Sequence, residues 1–181
     1  MREIEIKAKI RNRNTIINKL RLAGCKLGPK ITQHDIVFGE KGASDNQPGA
    51  AWLRIRTEND KQVYFTYKSS VVGHLDSIEH ETLVSDAKEL ESIILALGFE
   101  LYSDLTKVRQ KGKLGDVEIC IDTVPGLGDF IEAEKMMHKE VEHDPVVDEL
   151  WKIFEGLGIS KQQEIHEGYD VLERKKRGVS D

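Results

Sequence analysis

Three short runs of alternating residues carry the chemistry open to this chain. Glu3, Glu5 and Lys7 stand two apart in EIEIK, Arg54 and Arg56 in WLRIR, and Glu132 and Glu134 in FIEAE. In extended backbone successive side chains point to opposite faces, so residues two apart share a face at roughly 7 Å. Carboxylates at that spacing can ligate a hard divalent cation, and arginines and lysines can grip phosphate oxygens. The pattern recurs along the chain. Lys68 ends YFTYK, Glu79 and Glu81 flank His80, Lys107, Arg109 and Lys111 share a face in TKVRQKG, and Asp122 follows Ile121 in EICID.

A sheet with one wet side accounts for such a face on any one strand. It does not account for same-sign pairs on nearly every strand, because like charges so placed repel. If such strands curl towards closure, the charged faces line a polar interior with room for one small ligand. Isolated charges there would be costly, so Arg54, Arg56, Lys68, Lys107 and Arg109 need anions and the clustered acids need cations. A metal-bound polyphosphate supplies both. The chain has no G-x-x-x-x-G-K-[ST], no G-x-G-x-x-G opening a helix and no H-E-x-x-H. Basic side chains rather than a backbone cradle must therefore hold the phosphates.

The elements that position these residues follow from period. Strands are expected near 2 to 10, 31 to 39, 51 to 57, 62 to 69, 76 to 84, 100 to 111, 116 to 124 and 129 to 136. Helices are expected at 13 to 23, 86 to 97 and 146 to 157, with a polar fourth at about 161 to 175 leading into a charged tail. EIE, EHE and EAE each precede a helix, and those helices close on LRLAGC, ILALGF and FEGLGI. The echo predicts a curved antiparallel sheet with helices packed outside on the apolar strand faces. The Gly- and Ser-rich stretch from Gly39 to Ala50 is expected to be a long mobile loop of the kind that acts as a lid.

With 39% hydrophobic residues, the 181-residue chain can build one domain spanning 1–181. A net charge of −5 gives no overall attraction to a nucleic-acid polymer. Cys25 and Cys120 form no C-x-x-C pair, which suits a reducing cytosol and argues against zinc. The charged start MREIEIK and the lack of an apolar run of roughly 20 residues lead to the expectation of a cytoplasmic protein with no membrane partner. The six histidines lack ligand spacing, Trp52, Trp151 and Tyr169 are expected to pack, and Cys120 to fill space.

EIEIK, followed in order by LRIR, TYK, EHE, KVRQK and EICIDTVPGLGDFIEAE, resembles the CYTH superfamily, the triphosphate tunnel metalloenzymes. VPGLGDFIEAE and GYDVLE are most similar to its class IV adenylyl cyclase branch. The resemblance implies an α+β fold, a closed or nearly closed antiparallel barrel of about eight strands with helices packed outside, whose charged tunnel binds a small triphosphate such as ATP with Mg²⁺ or Mn²⁺, and leaves a homodimer open. It makes Glu3, Glu5, Glu79, Glu81, Asp122, Glu132 and Glu134 candidates for binding metal or orienting bases. Lys7, Arg54, Arg56, Lys68, Lys107 and Arg109 become the phosphate-binding set, and Glu5, Lys7, Lys68 and Asp122 the catalytic candidates. The chain departs from the family at Ser77 and Ile78, where many members carry Arg, and at Gly168, where cyclases often carry Ser. The activities implied are conversion of ATP to cyclic AMP and pyrophosphate, hydrolysis of tripolyphosphate, thiamine triphosphate or a nucleoside triphosphate, or binding of triphosphate without catalysis.

Overall fold

The computed structural model describes residues 1–41, 49–72, 75–138 and 141–178. The long elements run β1 (Arg2–Ile10), α1 (Arg13–Leu22), β2 (Ile31–Glu40), β3 (Ala51–Glu58), β4 (Gln62–Ser70), β5 (Asp76–Val84) and α2 (Ala87–Ala96). They continue as β6 (Phe99–Leu114), β7 (Val117–Val124), β8 (Gly128–Met137), α3 (His143–Gly156), the two-residue β9 (Glu164–Ile165) and α4 (Tyr169–Lys176). The order β-α-β-β-β therefore occurs twice, from β1 to β4 and from β5 to β8. All eight expected long strands are present.

The strands are ordered β5-β4-β3-β2-β6-β7-β8-β1-β9, with β5 also paired to β1. Each of the eight long strands thus has a neighbour along both edges, the hydrogen-bonding pattern of a closed antiparallel barrel. The chain divides into two compact units, Met1–Ile31 with Lys107–His166, and Thr32–Thr106 with Glu167–Asp181. Two of the boundaries fall inside strands, after Ile31 in β2 and before Lys107 in β6.

In the first unit the apolar strand face carries Ile4, Ile6, Ala8, Ile119, Ile121, Ile131 and Ala133. Against it pack Ile16 and Leu20 of α1 and Leu150, Trp151 and Phe154 of α3. Trp151 meets Phe154 edge to face, with ring centroids 5.4 Å apart. Each fully buried Ile, Leu or Phe contributes about 1.5–3 kcal/mol, so this face fixes strand register and thereby which side chains share the opposite, charged face. The second unit repeats the scheme with Phe38, Leu53, Ile55 and Ile94 of α2. Asp86 caps α2 by accepting from the backbone N–H groups of Lys88 and Glu89.

The three Leu-rich closures end their helices alike. After α1 the Cys25 N–H donates to the Leu20 carbonyl at 2.9 Å, and after α3 the Ile159 N–H donates to the Phe154 carbonyl at 2.9 Å. Such a turn needs a left-handed residue, and Gly24 at φ +90° and Gly158 at φ +76° provide it, as Gly98 at φ +93° follows α2.

Two expectations change. The helix expected from 161 to 175 is a short 3-10 turn at Lys161–Gln163, then β9, then α4 from Tyr169. Ile165 and Glu164 pair with Lys7 and Ala8 of β1, and that ladder precludes a continuous helix. The loop expected from Gly39 begins later, because Gly39 still pairs with Trp52. Residues 42–48 of it lie outside the described residues, as do His74 and residues 179–181 of the tail.

Candidate functional site

The charged face of the first unit is built from β1, β8, β7 and the second half of β6. Glu5 stands opposite Glu134 and Lys7 opposite Glu132 in the β1–β8 register. Lys7 is 3% exposed. Its Nζ lies 3.2 Å from both Glu5 and Glu132. Burial alone would lower the Lys7 pKa, but the two carboxylates outweigh it and hold the ammonium above its ordinary range.

Arg109 is caged by acids. Its Nε donates to Asp122 Oδ1 at 2.8 Å, its Nη2 to Asp122 Oδ2 at 2.6 Å and its Nη1 to Glu134 Oε1 at 3.2 Å. Nη2 also bonds Glu132. The burial that would lower the Arg109 pKa is more than offset by Asp122 and Glu132. Lys107 Nζ lies 3.6 Å from Asp122 Oδ2. Asp122 is 0% exposed and serves Arg109 as a bidentate partner, a geometry that fixes the guanidinium plane.

The carboxylates of Glu3, Glu5 and Glu134 each present an oxygen within 4.8 Å of the others. Three hard oxygen donors in such an arrangement fit Mg²⁺ or Mn²⁺, which take carboxylates and keep several waters. Burial raises the pKa of Glu134, with Arg109 opposing. Glu118, Cys120 and Glu134 form a second close group. That set fits Mg²⁺ poorly, because Cys120 is fully buried and burial pushes its thiol far above the usual range. Lys111 pairs with Glu118 at 2.7 Å. That bond overcomes burial and holds the Glu118 carboxyl below its ordinary range.

In the second unit, β2 to β5 carry the face. Arg56 Nε and Nη2 donate to the two oxygens of Asp35, both at 2.7 Å, in a buried fork. Arg54 donates to Thr66 Oγ1 at 3.1 Å and lies 3.5 Å from Glu81. Thr66 in turn donates to Glu81 Oε2 at 2.8 Å. Lys68 pairs with Glu79, its register partner across β4–β5.

Every candidate residue thus falls on one of two charged faces. The first unit gathers Glu3, Glu5, Lys7, Lys107, Arg109, Asp122, Glu132 and Glu134. The second gathers Arg54, Arg56, Lys68, Glu79 and Glu81. The sequence reading missed Asp35, Thr66 and Glu118 as partners of the bases. Asp35 is a lone acid inside QHDIVF and Thr66 a lone hydroxyl inside YFTYK, so neither repeats at the two-residue spacing that marked the others. Only pairing register reveals them. Trp151 packs as expected, whereas Trp52 shares the strand face of Arg54 and Arg56.

The family model of the CYTH domain matches residues 1–169. The chain belongs to that family. It is 34% identical over 171 residues to the MJ0240 protein of Methanocaldococcus jannaschii, named as a candidate adenylate cyclase, covering 93% of this chain and 97% of that one. Among solved structures, the PH1819 protein from Pyrococcus horikoshii superposes with a TM-score of 0.78 at 26% identity, over 96% of this chain and 99% of the other. The fold of HpAC1 from Hippeastrum is also similar, with a TM-score of 0.62 at 15% identity over 99% and 97% of the two chains. HpAC1 is described as a candidate adenylyl cyclase with a dominant triphosphatase activity.

Proposed function

We propose that the protein is a divalent-metal-dependent enzyme of small triphosphates, and that its reaction is the class IV type of adenylyl cyclisation, ATP to cyclic AMP and pyrophosphate. The observation that carries the reading is the Glu3, Glu5 and Glu134 oxygen cluster beside a buried Lys7 and a caged Arg109. Bound Mg²⁺ or Mn²⁺ would neutralise phosphate charge there.

The residues divide by partner. Glu3, Glu5 and Glu134 hold the cation. Lys7, Lys107, Arg109, Arg54, Arg56 and Lys68 hold phosphate oxygens, and their charges stabilise those that develop on the leaving group. Asp122 and Glu132 orient Arg109 and Lys7, while Glu79 and Glu81 orient Lys68 and Arg54. In cyclisation the ribose 3′ oxygen bonds the α-phosphorus, the α–β P–O bond breaks, pyrophosphate leaves, and a carboxylate takes the hydroxyl proton. The resemblance of MJ0240, a candidate cyclase by name, supports this choice.

Hydrolysis of the terminal phosphate is the second reading, favoured by the triphosphatase activity described for HpAC1. Incubation with ATP and with tripolyphosphate, each with Mg²⁺ or Mn²⁺, followed by chromatographic product identification, separates the two. Cyclic AMP with pyrophosphate supports the first reading. ADP with phosphate and no cyclic AMP supports the second, and no turnover of either substrate contradicts both.

A further inference from the structure

The charged face of the second unit ends in an apolar step. Across β3, β4 and β5 the register sets Trp52, Lys68 and Glu79 in one row, Arg54, Thr66 and Glu81 in the next, and Arg56, Tyr64 and Leu83 in the third. The first two rows are knitted by ion pairs and the Thr66 hydroxyl. In the third, Arg56 is fixed by Asp35, Tyr64 is half-buried, and Leu83 stands 63% exposed. The next row brings polar groups, Glu58 and Gln62, with Gln33 donating to Glu58 at 2.7 Å and the Tyr64 hydroxyl donating to Gln62 at 3.4 Å.

The equivalent place in the first unit is built otherwise. Asp35 with Arg56 corresponds in register to Arg109 with Asp122, which makes Phe130, opposite Asp122, the counterpart of Tyr64. Phe130 is 1% exposed, with the Lys9 ammonium over its ring at 5.7 Å. One aromatic is capped by the protein and the other is left open beside an exposed leucine, on a face otherwise given to charge.

We propose that Tyr64 and Leu83 form the platform for the base of a nucleoside triphosphate, with the phosphate chain running towards the Arg54 and Lys68 rows. A flat aromatic edge with an aliphatic neighbour offers stacking area that inorganic polyphosphate cannot use, while Arg56 in the same row meets the phosphate nearest the nucleoside. This rests on the triphosphate reading above and deepens it by assigning the residues that seat the nucleoside.

The test is calorimetric binding of ATP and of tripolyphosphate to wild type, Tyr64→Ala and Leu83→Asn. Leu83 is exposed enough that its replacement spares the core. The expected result is that wild type prefers ATP and that either variant shifts the ratio of the two dissociation constants by about tenfold against ATP, the size of one lost stacked base. An unchanged ratio in the Leu83 variant, as a base seated elsewhere would give, or equal weakening of both ligands, overturns the platform. Wild type that binds neither ligand overturns the triphosphate reading itself.

Discussion

The two charged faces share one wiring plan with the signs exchanged. In the second unit an acid on β2, Asp35, holds an arginine on β3, Arg56. In the first, an arginine on β6, Arg109, is held by an acid on β7, Asp122, at the equivalent register position. The next strands reverse as well: β8 brings Glu132 and Glu134 where β4 brings Thr66 and Lys68. The outcome is an acid-rich face able to collect three carboxylate oxygens and a balanced face on which Asp35, Glu79 and Glu81 are each committed to a cation or hydroxyl. One scaffold, used twice, thus gathers carboxylate oxygens on one face and not on the other by substituting at positions of equal register, and in the proposed reading the metal belongs to the first face while bases of both hold phosphate.

The comparison breaks most severely where the acids are shared. Glu134→Gln removes an oxygen from the cluster and a partner from Arg109, and metal-dependent turnover is expected to fall by about a hundredfold or more with the melting temperature little changed. Equal turnover at limiting Mn²⁺ would contradict its assignment. Next in size is stability: Arg109→Ala takes a buried cation from Asp122, Glu132 and Glu134 at once, leaving Asp122 only Lys107 at 3.6 Å, and is expected to cost about 3–5 kcal/mol, while Arg56→Ala takes one from Asp35 and costs less. Urea denaturation of the two variants checks the order.

Asp35→Asn sharpens the comparison further, because it leaves Arg56 in place but loosens its fork. Triphosphate binding should weaken by about 1–3 kcal/mol, and the effect should vanish in an Arg56→Ala background if Asp35 works through that arginine alone. Additive losses in the double variant would assign Asp35 another role. The smallest effect concerns the thiols. Burial raises the pKa of both Cys25 and Cys120. Iodoacetamide at neutral pH is therefore expected to label neither in the folded protein and both in urea, as mass spectrometry would show.

The strands and their charged faces were legible in the sequence because alternation at period two is local, and EIEIK or WLRIR announces it within five residues. Three helix closures were legible for the same reason, since Gly24 and Gly98 mark turns with unusual backbone. What was not legible depends on pairing across distance. Asp35 meets Arg56 across 21 residues, and the acid-rich face of the first unit appears only once β8 is set beside β1. The polar stretch after Lys161 misled, because its residues suit a helix in isolation while β9 is specified by its pairing with Lys7 and Ala8 of β1.

The proposed seat of the metal on the first unit's face is tested most directly by titrating Mn²⁺ into wild type, Glu134→Gln and Glu79→Gln and following free Mn²⁺ by electron paramagnetic resonance. Loss of binding in the Glu134 variant, with wild-type binding retained in the Glu79 variant, is the expected result. Binding that survives Glu134→Gln and disappears with Glu79→Gln would place the metal on the other face and contradict the scheme.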